Sequence, residues 1–307
     1  MLKSVLAAAC AIMWLTVSAQ FPTGKNVLSF GGIESDDALI TNSTSSNFAP
    51  FKLVGGLMFV DANFNGQSGT YILDTGAPGL ILNNMVEVSE SDASYIASGL
   101  TGSASIDEFT VDEFKILDIV KTDFVAYQMD LEHIEDEILH RFSGLIGSDI
   151  FEQSILVLDY QKQVWGTMGE LATESIEVSV PFSMRDHFII IDIKVGGEKY
   201  KMILDTGAEI NILGTKTAEE IKKSKMKDVG TTNVQSASPD HQNTKSVRLQ
   251  KFQIGKHTER NKEFSILPFD FINDGLDYHI DGLIGYPFFQ DKKVALNFKT
   301  GTLHILK

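Results

Sequence analysis

Tyr71-Ile72-Leu73-Asp74-Thr75-Gly76-Ala77 and Met202-Ile203-Leu204-Asp205-Thr206-Gly207-Ala208 are two copies of one phrase set 131 residues apart. Each runs an apolar, strand-like stretch straight into the turn formers Asp, Thr and Gly. Sliding the chain along itself by the same offset also lays Pro50-Phe51 on Pro181-Phe182, Asp61 on Asp192, Gly66 on Gly197 and Ile81-Leu82 on Ile212-Leu213. Twelve of 33 ungapped positions are then identical, where ordinary composition gives about two. A second block returns at an offset of 138, with Gly144-Leu145-Ile146-Gly147 on Gly282-Leu283-Ile284-Gly285, Phe151 on Phe289 and Leu158 on Leu296. So long a period marks a duplicated domain and not a solenoid of short repeats.

The pattern within each copy is β. Leu57–Val60 and Phe188–Ile191 read as strands closed by the turn pairs Asn65-Gly66 and Gly196-Gly197. Val294–Phe298, Lys299-Thr300-Gly301 and Thr302–Ile305 read as a final hairpin. Helix signals are few: Thr217 with Glu220 suggests a capping box opening a helix over Ala218–Lys225, and Ile134–Arg141 is a second short candidate.

Two Asp-Thr-Gly-Ala loops, each with a downstream Leu-Ile-Gly, resemble the retropepsin-like aspartic peptidases, and the resemblance extends from about Ala49 to the C-terminus. It implies an all-β fold of two homologous β-barrel lobes, residues 49–173 and 174–307, forming a pseudodimer with the active site between them. It implies Asp74 and Asp205 as catalytic groups, one from each lobe. The chemistry needs such a pair on its own account. Hydrolysis without a metal or a nucleophilic side chain requires a base for water and an acid for the peptide, and two close carboxyls that share one proton supply both.

The neighbouring residues read as supports. Gly76 and Gly207 let each loop approach its mate where a side chain would block it. By the resemblance, Thr75 and Thr206 send their hydroxyls to the opposite loop, and Gly147 and Gly285 let the Leu-Ile-Gly runs pass close behind. Ala77 and Ala208 stand where pepsin-like relatives carry Ser or Thr, so no hydroxyl is available there to stabilise an ionised pair, and activity is expected nearer neutral pH. Pro78 and Glu209 differ, so the two lobes are expected to be inequivalent toward substrate. A flap is needed to exclude water. Candidates are Gly99–Asp107, with Ser103-Ala104-Ser105, and Val234–Pro239, with Ser236-Ala237-Ser238; mobile surface loops are the competing reading.

The chain has 307 residues, 43% of them hydrophobic, and 41 acidic against 26 basic residues give a net charge of −15. That balance argues against nucleic acid as a partner. Residues 1–19 have the form of an export signal: Lys3, an apolar run from Val5 to Val17, and Val17-Ser18-Ala19 as the cleavage pattern. A membrane anchor and a lipid anchor through Cys10 are the alternatives, but the run falls short of the ~20 residues of a spanning helix. Removal of residues 1–19 leaves no cysteine, which excludes thiol catalysis and zinc-thiolate sites from the remainder. Residues 20–48 read as a lead-in strand and linker.

No cofactor and no metal is expected. Asp61–Gly66 imitates the start of a calcium loop but has Ile72 in place of the closing Glu, and His133, Glu135 and His140 lack zinc-helix spacing. Asn42-Ser43-Thr44 matches a glycosylation acceptor. The expectation is therefore a secreted or periplasmic, monomeric aspartic endopeptidase acting on extended peptides or unfolded protein, with no membrane span after cleavage of the signal. A catalytically inactive peptide-binding protein of the same fold, a secreted β-rich interaction protein, and an aspartate pair formed across two chains remain the alternatives.

Overall fold

A computed structural model describes residues 14–16, 47–88, 92–98, 103–235, 241–274 and 276–307. Most of the segment read as an export signal, and residues 20–46, lie outside these. Among the described residues the chain is almost entirely β, in one nine-stranded and one thirteen-stranded sheet with a few short helices. The short strand Trp14–Thr16 pairs antiparallel with Ala93–Ser98.

The duplicated phrase becomes the same three-strand arrangement twice. In the first copy, Leu57–Phe64 and Gln67–Leu73 form a hairpin. Its turn is Asn65-Gly66, with φ of 47° and 83°, the left-handed pair that a tight right-twisted hairpin requires. Gly144–Ile146 then inserts parallel to Tyr71–Leu73 and antiparallel to Leu80–Leu82. In the second copy, Gly282–Ile284 lies parallel to Met202–Leu204 and antiparallel to Ile212–Leu213. Two small cores are likewise copies of each other: Leu57, Phe59, Ile72, Ala77, Ile81 and Leu145 pack together, as do Phe188, Ile190, Ile203, Ala208, Ile212 and Leu283.

A second set of strands joins the copies. Ile155–Asp159 pairs antiparallel with Lys293–Asn297, centred on Val157 opposite Ala295, and these two segments are each other's counterparts at the 138-residue offset. Val164–Met168 and Asn47–Pro50 continue the sheet on one side, and Thr302–Leu306 and Ile176–Arg185 continue it in the same way on the other. Val157, Leu158, Val294 and Ala295 are fully buried, so each segment satisfies its backbone and its apolar face against its own copy. The boundary expected between residues 173 and 174 is therefore crossed by one continuous sheet. The largest apolar core also draws on both copies, with Phe51, Phe151 and Trp165 from the first and Phe182, Phe288 and Phe289 from the second.

The closing hairpin appears as expected, as Lys293–Asn297 and Thr302–Leu306. The helix expectations need correction. A helix spans Thr215–Glu220, begins after Gly214, and gives way at Ile221. Thr217 lies inside it and donates its hydroxyl to Asp281 at 3.0 Å, so a tertiary partner captures the side chain that the capping pattern assigned to a helix end. The second candidate, Ile134–Arg141, is a helix over Glu132–Ile138, ended by Leu139 in the left-handed conformation.

Candidate active site

Asp74 and Asp205 each follow the last residue of a buried strand, and the Leu-Ile-Gly run behind each loop fixes the exit. Asp74 N–H donates to Ile146 O and Asp205 N–H to Ile284 O, both at 2.9 Å. A Cβ on Gly147 would stand 2.2 Å from Ala77 O, and one on Gly285 would stand 2.4 Å from Ala208 O and Ile210 O. Only glycine lets these runs lie so close, because real Cβ contacts do not fall below about 3 Å.

The two loops are tied to each other across the copies. Thr75 N–H donates to Thr206 Oγ1 at 3.1 Å and Thr206 N–H to Thr75 Oγ1 at 3.0 Å. The same hydroxyls then donate onward, Thr75 Oγ1 to Leu204 O at 2.9 Å and Thr206 Oγ1 to Leu73 O at 2.8 Å. All four residues are buried, so three polar groups of each copy, the Thr N–H, the Thr hydroxyl and the Leu carbonyl, depend on the other.

This brings the carboxyls together. Asp74 Oδ1 accepts Gly76 N–H at 2.9 Å and Asp205 Oδ1 accepts Gly207 N–H at 2.7 Å. A Cβ on Gly76 would lie 2.6 Å from Asp205 Oδ2, and one on Gly207 would lie 2.2 Å from Asp74 Cγ. Each glycine thus faces the carboxyl of the opposite loop. Both aspartates are fully buried. Burial raises both carboxyls well above the ordinary carboxylate range. Asp74 rises further through the charge of Asp205 and through donating a hydrogen bond to it, while that bond and the Gly207 and Gly76 N–H groups offset part of the rise at Asp205. Two like charges in one buried site cannot both form at moderate pH, so the pair holds one proton.

Ala77 and Ala208 are fully buried in the two small cores and bring no hydroxyl to the pair. Glu209 is almost fully buried, with Oε1 against Gly55, whereas Pro78 holds the matching position in the first copy. Ser103-Ala104 opens the strand Ser103–Ile116, next to the tip of the hairpin it makes with Ala93–Ser98. The other candidate follows the strand Met226–Gln235, which pairs with His241–Ile254, but Ser236 and Ala237 lie outside the described residues. Ile106 and Val234, on these hairpins, pack in the cores that contain Ala77 and Ala208 respectively.

Sequence reading missed several buried polar residues around the loops. Asp149 accepts Gly79 N–H at its Oδ2 at 3.2 Å, and burial pushes its carboxyl up to about 6. His187 is buried against the backbone of Gly76, and burial pushes its imidazole down to about 3, so it is neutral. Ser148 Oγ donates to His187 O at 2.9 Å. Asn211 accepts Gly285 N–H at 3.0 Å and donates to Glu263 O at 3.0 Å. None of these has a like residue at its repeat counterpart, so a search for identities passes over them. Among the described residues no group of three or more His, Cys, Asp or Glu side chains could hold a metal ion, and no helix is long and apolar enough to cross a membrane.

Residues 191–288 match the family model described as aspartyl protease. This portion carries Asp205 and the second Leu-Ile-Gly, and the match supports the resemblance to the retropepsin-like aspartic proteases. No curated protein matches the chain.

Proposed function

We propose that the chain is an exported aspartic endopeptidase in which both copies of the duplicated domain act as lobes of one pseudodimer, with Asp74 and Asp205 as the catalytic pair. The observation that carries this reading is the reciprocal bonding of Thr75 and Thr206, which seats each carboxyl against the glycine of the opposite loop. The family match of residues 191–288 supports a hydrolase acting on peptides. The sequence pattern of residues 1–19 supports export, and the sheet shared between the copies supports a monomer with an intramolecular pair.

In this mechanism Asp74 begins protonated and Asp205 ionised. Asp205 takes a proton from water as the water oxygen attacks the peptide carbonyl carbon, and Asp74 gives its proton to the carbonyl oxygen, forming a gem-diol. Asp205 then donates to the peptide nitrogen while Asp74 recovers a proton from one gem-diol hydroxyl. The C–N bond breaks, an acid and an amine leave, and the pair returns to its starting state. The substrate is an extended peptide or an unfolded segment. Cleavage of a denatured protein by the mature chain, blocked by a statine-containing peptide and sedimenting with a monomeric particle, is the expected result; insensitivity to the inhibitor overturns the reading.

A further inference from the structure

The two copies hold their aspartate loops by different means, and the difference is a swap. In the second copy the polar clamp is Asn211, which receives the N–H of Gly285. Its counterpart in the first copy is Leu80, which is fully buried and makes no such bond. In the first copy the clamp is Asp149, which receives the N–H of Gly79, and its counterpart in the second copy is Pro287.

Asp149 is well placed to fix the loop. Gly79 turns there with φ of 50°, and its carbonyl is already held by Gly147 N–H at 2.6 Å, so the Asp149 carboxyl satisfies the remaining backbone group of that residue. The charged groups facing Asp149 are Lys121, from the strand Ile119–Met129, and Glu152, from the turn after it. Lys121 is itself buried, with Nζ donating to Asp149 O at 2.9 Å and lying 3.4 Å from Glu152 Oε1. Ser148 Oγ lies 3.4 Å from Asp149 Oδ1 and also bonds His187 O, and His187 rests on Gly76. The segment between Gly76 and Gly79 is thus gripped at both ends from one side, by residues whose counterparts in the other copy are Tyr286, Pro287 and Gly56.

Resting on the reading of Asp74 as half of the catalytic pair, we propose that Asp149 is a positioning residue for Asp74: its backbone carbonyl is held by Lys121, and its carboxylate holds Gly79 so that the first loop presents Asp74 to its partner. The clamp of the second loop is a neutral amide, so only the first loop depends on an ionisable one.

The test is steady-state cleavage of one peptide by the full mature chain carrying Asp149→Asn or Asp149→Leu, across pH. Misplacing a catalytic group by about 1 Å costs up to about a hundredfold. Asp149→Leu, isosteric but without an acceptor, is expected to lower kcat by about ten- to a hundredfold with KM changed less than about threefold. Asp149→Asn keeps an acceptor and is expected to restore kcat at neutral pH to within about threefold. Wild-type kcat is expected to rise as Asp149 ionises, and that rise is expected to be absent in Asp149→Asn. Equal kcat in the Asn and Leu variants, or a pH profile of Asp149→Asn identical to wild type, overturns the inference. If the Leu variant does not fold, the Asn pH profile alone decides. Loss of activity in Asp74→Asn with no effect at Asp149 overturns this inference and leaves the proposed function standing, whereas a wild-type chain that cleaves nothing overturns both.

Discussion

Thr75 and Thr206, 131 residues apart, exchange hydrogen bonds in both directions, the backbone N–H of each donating to the hydroxyl of the other. The exchange is buried, and each hydroxyl also donates to a carbonyl on the far side. The geometry of the aspartate pair therefore depends on both copies of the domain at once.

Removing either hydroxyl should be costly. Thr75→Val leaves the Thr206 N–H and the Leu204 carbonyl buried without partners, which costs about 2–5 kcal/mol. Thr75→Ser retains both bonds and should lose less than about 1 kcal/mol. Urea unfolding midpoints of the two variants check the contrast.

The glycines facing the carboxyls admit no side chain. Gly76→Ala sets a methyl 2.6 Å from Asp205 Oδ2 and Gly207→Ala sets one 2.2 Å from Asp74 Cγ, so either change pushes a carboxyl away from its mate. Loss of activity by about a hundredfold or more is expected in each. Retention of the fold, followed by circular dichroism, separates this outcome from simple unfolding.

The buried pair also sets a pH dependence of stability. Both carboxyls are raised above the unfolded value near 3.8, so folding favours their protonated forms. That contribution is fully present below the unfolded value and is lost as pH rises through the folded one. Asp205→Asn cannot ionise and should be more stable than wild type at neutral pH, with the difference vanishing in acid. Thermal melts of both proteins at acid and neutral pH measure it.

Adding a hydroxyl beside the pair should move the activity profile. Ala77 and Ala208 bring no hydroxyl to the ionised form, which has the other carboxyl and backbone N–H groups as donors, and a hydroxyl donor favours ionisation. Ala77→Ser and Ala208→Ser should each shift the pH range of kcat/KM toward acid. A wild-type profile confined to strongly acidic solution would contradict the premise.

Much of the site was legible because the duplication repeats it. Asp74 and Asp205, their glycines, and Gly147 and Gly285 all recur with the same identity, and the packing shows why identity was required: a Cβ at any of these four glycines meets a carboxyl or a backbone carbonyl. What was illegible falls where the copies differ or where the partner is remote. Asp149 aligns with Pro287 and Asn211 with Leu80, so a repeat-based reading discards the residues that clamp the loops. The pairing of Ile155–Asp159 with Lys293–Asn297 is a contact between counterparts that local patterning cannot reveal. Thr217 followed a tertiary partner, Asp281, over its local capping pattern.

The most direct measurement is cleavage of a peptide library by the mature chain and by Asp74→Asn and Asp205→Asn, all shown to be folded. If the two aspartates act as one catalytic pair, wild type cleaves internal peptide bonds and each single substitution abolishes cleavage to the same low level. Cleavage surviving in either variant, or none by wild type, would contradict it.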